Sequence, residues 1–156
     1  MDKKFLAGLT ACFNSGLLTA TGAETVYDTT VAIPYCIDGK SASKAAVTDG
    51  VTPTTDIITG AAITLTASQA RCVAWCLVSG GTVRCIAGPV VSWDGATGTA
   101  VPFPDIPEGY AVFAGQVLKA ASNAGTITFG SSNWNATGFT NAITNLSTLP
   151  ARPLTT

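Results

Sequence analysis

From residue 26 onward the apolar positions come in short runs rich in Val, Ile and Thr, separated by Gly, Pro, Asp and Asn. Runs of this length bounded by turn formers read as strands, and the pattern predicts them over 30–37, 45–48, 62–67, 71–79, 82–87, 90–93, 110–119 and 126–129. No strand–helix–strand alternation is visible, which argues against a parallel α/β sheet. The expected fold is all-β, an antiparallel β-sandwich or jelly-roll-like domain.

The clearest local signal is Ser79-Gly80-Gly81-Thr82, where two glycines can supply the positive φ angles of a tight hairpin. A two-residue Gly80-Gly81 loop would set Ser79 opposite Thr82, Leu77 opposite Arg84, Cys76 opposite Cys85 and Trp75 opposite Ile86. Alternation then puts Cys72, Ala74, Cys76, Val78, Val83 and Cys85 on one face, and Val73, Trp75, Leu77 and Ile86 on the other. Both faces are largely apolar, so this hairpin should lie centrally or against a partner.

The two ends differ from the middle. Phe5, Leu9, Cys12 and Phe13 recur at spacings of three and four, widened by Leu6, Leu17 and Leu18, which predicts an amphipathic helix over 3–19. Asn14-Ser15-Gly16 would end or kink it. Beyond 130 the chain reads as irregular, and Pro150 and Pro153 favour an extended arm near its end. The expected organisation is a helix and linker over 1–25, a β-sandwich domain over 26–147 and a C-terminal arm over 148–156.

Composition sharpens this picture. The 156 residues are 47% hydrophobic, enough to build a core without a metal or disulfide staple. Only 11% are charged, against about 25% in ordinary soluble domains. Thr, Ser, Asn, Gly and Ala must therefore cover the surface, and such a surface is suited to burial against partners. The net charge of −1, with Lys3-Lys4 the only adjacent basic pair, gives no basic face for nucleic acid. No apolar run reaches the roughly 18 residues needed to span a membrane as a helix. The N-terminus imitates a secretory signal, but Asp2 and the Asn14-Ser15-Gly16 interruption argue against one, and the reading is a protein made in a cytoplasm.

Candidate chemistry is sparse. There is no histidine, which removes the commonest general base and metal ligand. Asp105 and Glu108 are the closest approach to a glycosidase-like carboxylate pair, although Ile106-Pro107 between them reads better as a turn. Cys12, Cys36, Cys72, Cys76 and Cys85 lack zinc-site spacing. The expected facing of Cys76 and Cys85 permits a disulfide, while an odd count and a cytoplasmic origin favour reduced thiols packed as small apolar groups. No phosphate-binding or dinucleotide motif is present. No cofactor and no metal are expected. Trp93, Trp134, Tyr110 and Phe139 can line a sugar-binding surface, with core and interface roles favoured over that.

Several segments resemble small virion proteins of tailed bacteriophages, particularly head decoration (cement) proteins. They are Asp2-Lys-Lys-Phe-Leu-Ala-Gly-Leu9, Tyr35-Cys-Ile-Asp-Gly-Lys40, Pro53-Thr-Thr-Asp56, Pro104-Asp-Ile-Pro-Glu-Gly-Tyr-Ala-Val-Phe-Ala114 and Leu149-Pro-Ala-Arg-Pro153. The resemblance implies a non-enzymatic protein on the outer capsid surface of a virion. It implies a homo-oligomer, dimer or trimer, bound to the major capsid protein. Contacts would then come from Phe5, Leu6, Leu9 and Phe13 at one end and Leu149, Pro150, Arg152 and Pro153 at the other. The competing readings are a phage tail or fibre component that binds a host receptor or carbohydrate through Trp134 and its neighbours, and a hydrolase built on Asp105 and Glu108.

Overall fold

The computed structural model describes residues 8–146, and these contain β-strands and no helix. The strands are β1 (Ala11–Cys12), β2 (Leu18–Thr19), β3 (Val26–Thr29), β4 (Ile33–Ile37), β5 (Lys40–Lys44), β6 (Val47–Val51), β7 (Thr64–Leu65), β8 (Gln69–Leu77), β9 (Val83–Ala87), β10 (Val91–Ser92), β11 (Ala111–Ala120), β12 (Ile127–Thr128) and β13 (Phe139–Asn145). All pair antiparallel.

The central sheet is built on β8 and β11, which pair along nearly their whole length, with β13 on the far side of β11. Strands β9 and β10 lie end to end along the other edge of β8. Between them Gly88 approaches the backbone so closely that a Cβ would sit 3.0 Å from the carbonyls of Cys72 and Pro102. The guanidinium of Arg71 donates to Gly88 O at 2.8 and 3.2 Å and to Thr64 O at 3.2 Å, fastening this kink to β7.

Alternation gives the sheet two different faces. Val73, Trp75 and Leu77 of β8, with Val83, Cys85, Phe113 and Leu118, point into the main core. The sheets β1-β4-β5 and β2-β3-β6 and the pair β7-β12 close that core, contributing Leu18, Tyr27, Ile33, Tyr35, Leu65 and Ile127. On the other face Ala70, Cys72, Ala74 and Cys76 are covered by the irregular segment 93–110, through Trp93, Val101, Phe103, Ile106 and Tyr110. Small side chains are what allow an irregular segment to lie flat there. All ten residues of β11 are consequently buried. A bulge at Phe113 sends both Phe113 and Ala114 into the main core.

Three expectations need correction. The helix over 3–19 is not formed where the chain is described: residues 8–19 carry β1, β2 and the turn between them. Short polar side chains take the local hydrogen bonds a helix would need, since Asn14 Oδ1 accepts from Gly16 N and Ser15 Oγ from Leu17 N. The hairpin is one residue off the expected register. Val78 N donates to Thr82 O and Gly81 N to Val78 O, so the loop has three residues, Ser79-Gly80-Gly81, with both glycines at positive φ. Leu77 therefore faces Val83, Cys76 faces Arg84 and Trp75 faces Cys85. The expected register would have placed Arg84 beside Leu77 in the core; the observed one leaves Arg84 exposed. Finally, the stretch beyond 130 is not wholly irregular, because Phe139–Asn145 forms β13. The extended arm over 148–156 falls outside the described residues.

One hydrogen-bonded chain crosses the core. Trp75 Nε1 donates to Gln116 Oε1 at 2.9 Å, Gln116 Nε2 to Asn141 Oδ1 at 3.1 Å, Asn141 Nδ2 to Trp134 O at 3.3 Å, and Trp134 Nε1 to Val26 O at 2.8 Å. Aromatic packing runs alongside, from Tyr27 to Trp75 to Phe129 to Trp134, with ring centroids 5.1, 5.6 and 5.2 Å apart. Replacing Gln116 by Leu strands two partners, each costing about 1–3 kcal/mol when left unsatisfied. We expect Gln116→Leu to lower unfolding free energy by about 3 kcal/mol in denaturant titrations. The double variant with Asn141→Ala should lose less than the two singles combined. Additive losses below about 1 kcal/mol each would show that the chain contributes little.

Candidate functional site: an apolar loop on a fixed frame

The turn between β1 and β2, residues 13–17, presents two large apolar side chains, Phe13 at 54% exposure and Leu17 at 50%. Its backbone is tied on every side. Phe13 N donates to Pro34 O, and Gly16 O accepts from Thr30 N and Val31 N. Leu18 N donates to Asn145 Oδ1 at 2.9 Å, linking the end of the loop to the edge strand β13. Gly16 has φ +69°, and a Cβ there would meet the Ile33 side chain at 2.7 Å, so the turn requires glycine. Leu17 follows at φ 51°, a left-handed conformation that is unfavourable for a leucine by roughly 1–2 kcal/mol. Backbone strain of this kind persists where surrounding bonds over-determine it, and such places are often functional. The loop is thus a rigid apolar projection.

Of the residues the sequence suggested as contacts, Phe13 is at the start of this loop. Leu9 is half-buried, its carbonyl accepting from Gly39 N. Phe5, Leu6, Leu149, Pro150, Arg152 and Pro153 lie outside the described residues. Leu17, counted in the sequence as part of a helical stripe, becomes exposed through its backbone conformation. Nothing in the residue order signals that.

The candidate catalytic groups are not assembled. Asp105 and Glu108 are both exposed on the segment covering the central sheet. The buried carboxylate is Asp56, and its bonds are structural: Oδ1 accepts from Ile58 N and Ala87 N, and Oδ2 from the Thr59 hydroxyl at 2.7 Å. Among the described residues no three His, Cys, Asp or Glu side chains are grouped to hold a metal ion. No helix among them is long and apolar enough to cross a membrane.

All five cysteines are buried and free. Cys76 and Cys85 point to opposite faces of the sheet, so the register removes the disulfide the sequence permitted. Burial pushes the thiols of Cys12, Cys72 and Cys76 from an ordinary 9.0 up to about 12, and raises that of Cys85 well above 9.0. Cys12 Sγ donates to Ala111 O and Cys76 Sγ to Arg84 O, both at 3.3 Å. Thiols held protonated in this way are poor nucleophiles.

The aromatic residues separate by burial. Trp134 and Phe139 belong to the core, which removes Trp134 from any sugar-binding surface. Trp93 is half-buried and borders a cleft of about 310 Å³ with Lys119 and the outer face of β13.

The raised thiol values set a pH dependence. A group whose protonated form is favoured by folding stabilises fully below its unfolded value, and that contribution disappears as pH rises through the folded one. Stability should therefore fall between about pH 9 and 12, and a Cys72→Ala variant should show a shallower alkaline slope in melting experiments. A thiol reagent at neutral pH should leave the native protein unlabelled and modify all five cysteines after unfolding. Rapid native labelling would contradict the burial. No protein-family profile matches the chain, and neither a curated protein nor a solved structure is detectably similar to it.

Proposed function

We propose that the protein is a non-enzymatic virion component, a decoration protein that binds the outside of an assembled phage capsid and stabilises it. The observation that carries this reading is the fixed, strained loop presenting Phe13 and Leu17. A preorganised apolar projection binds a complementary groove without the entropic cost of ordering it. The low charge density and the resemblance to phage head decoration proteins support the same reading. So does the packing of the small sheets against the central one, which we take as sandwich-like.

A cement protein acts by linkage: it stabilises the shell by binding the assembled lattice better than the separated parts, over many copies. This needs broad weakly charged surfaces more than a polar pocket. In this account the partner is the major capsid protein, the protein self-associates as a dimer or trimer, and the loop is the capsid contact.

The test is co-sedimentation of the purified protein with phage heads stripped of accessory proteins. Binding should be saturable. Removing the phenyl group in Phe13→Ser forfeits about 2 kcal/mol of apolar burial, roughly thirtyfold in affinity, with the melting temperature unchanged. Leu17→Gly separates strain from contact. It should raise stability by about 0.5–1 kcal/mol, since glycine accepts positive φ, while weakening head binding. Saturable binding unaffected by either substitution would remove the loop from the contact. No binding to heads at all would overturn the cement reading in favour of a tail or fibre component.

A further inference from the structure

We propose that the protein forms a two-fold homodimer by antiparallel pairing of its β13 edge with β13 of a second copy. This interface is distinct from the Phe13–Leu17 loop and stands whether or not the protein binds a capsid.

Among the described residues β13 closes one side of the central sheet, with β11 on one flank and no strand on the other. Ala121 N donates to Gly138 O at one end of that ladder and Leu146 N to Phe113 O at the other, in the register that sets Ala142 opposite Val117. The even-numbered residues of β13 therefore exchange bonds with β11, and the main chain of Asn141, Ile143 and Asn145 turns outward. None of these three N–H or C=O groups has a partner among the described residues. The neighbouring β2 bonds β13 through the Asn145 side chain and not through its backbone. A row of free donors and acceptors is a template for another strand.

The other long edges are protected. β5 carries a lysine at each end. β6 is interrupted by Asp49 at φ 53° and by Gly50, where a Cβ would sit 2.6 Å from the Tyr27 ring. β9 carries Arg84, and it is covered where Ile57 N donates to Cys85 O and Ala87 N to Asp56 Oδ1. β13, Phe-Thr-Asn-Ala-Ile-Thr-Asn, has no charge, proline or glycine. An uncharged edge offers a charged strand no counter-charge, so the occupant it suits is equally uncharged. Among the long described edges only β13 itself qualifies. Pairing about a two-fold axis at Ile143 sets Ile143 opposite its copy and Asn141 opposite Asn145 of the second copy. All three outward residues then form bonded pairs. On the outer face Ala142 comes opposite Thr144 of the second copy, and two small side chains let the strands approach. Both copies use the same edge, so assembly closes at two. One strand pair is a small interface, which makes the expected dimer weak and reversible.

The test is sedimentation velocity of the full chain over a concentration series, with amide hydrogen exchange read at low and high concentration. A reversible monomer–dimer equilibrium is expected, and the amides of Asn141, Ile143 and Asn145 should exchange fast in the monomer and slowly in the dimer. Ala142→Lys with Thr144→Lys sets lysine opposite lysine on both sides of the axis, and should weaken the dimer about tenfold or more. Ala142→Glu with Thr144→Lys sets opposite charges there and should dimerise at least as well as the unsubstituted chain. Thr144 is exposed and Ala142 half-buried on the outer face, so melting of the dilute monomer should change little. A chain that stays monomeric up to millimolar concentration, a trimer, or a dimer in which the three amides still exchange fast would each overturn the proposal. Equal dimerisation of the two double variants would do the same. The amide readout on the unsubstituted chain keeps the test decisive even where a variant misfolds.

Discussion

The hydrogen bond from the Trp75 indole to the Gln116 amide, passed on through Asn141 and Trp134 to the backbone of Val26, is the constraint on which the rest of the domain depends. A glutamine with no exposed surface must have its amide satisfied, because an unpaired polar group in a dry core costs more than the bond itself returns. That requirement fixes which residue of β13 lies beside β11, and it draws the 131–138 turn over the end of the core. It also ties the central sheet to β3. Among the described residues the only buried side-chain polar atom without a partner is the Thr52 hydroxyl. A network this complete specifies one register of β13 and keeps the edge strand in place, and the edge strand in turn holds the Phe13–Leu17 loop through Asn145.

Much of this architecture was legible in the residue pattern. The long runs that became β8 and β11 were found because their positions are apolar on both faces, as suits strands buried on both sides. β5 was missed because Lys-Ser-Ala-Ser-Lys has no apolar alternation; it is an open edge, with a lysine at each end discouraging pairing with another chain. β13 was missed because Asn141 occupies an inward position between Phe139 and Ile143, and only the amide chain explains an asparagine there. The Gly-Gly pair marks the hairpin but leaves its register open by one residue. Two glycines suit either a two-residue loop or a three-residue loop with a bulge, and the exclusion of Arg84 from the core decides between them. At the N-terminus the three-and-four spacing of Leu9, Cys12 and Phe13 mimics a helix, and the competing Asn14 and Ser15 bonds are too short-ranged for periodicity to reveal.

The candidate surfaces were less legible than the frame. Phe13 stood out as an apolar residue, but its exposure follows from a turn that the helical reading hid. Leu17 depends on a left-handed backbone, which no pattern of side chains announces. The tryptophans could not be ranked from sequence. Only packing shows that Trp134 completes the core while Trp93 lines a cleft. What the composition did convey was the balance of the whole. With few charges, no histidine and buried thiols, the chain has a dense interior and weakly charged surfaces.

The proposed contact between the apolar loop and an assembled shell can be tested directly. The most direct measurement is hydrogen–deuterium exchange of the full chain, alone and with phage heads stripped of accessory proteins. Slow exchange is expected at Thr30 and Val31 in the free protein, where Gly16 O holds the loop, with further protection at residues 13–18 on binding. Fast exchange at Thr30 and Val31 in the free protein, or head-induced protection confined to other surfaces, would contradict it.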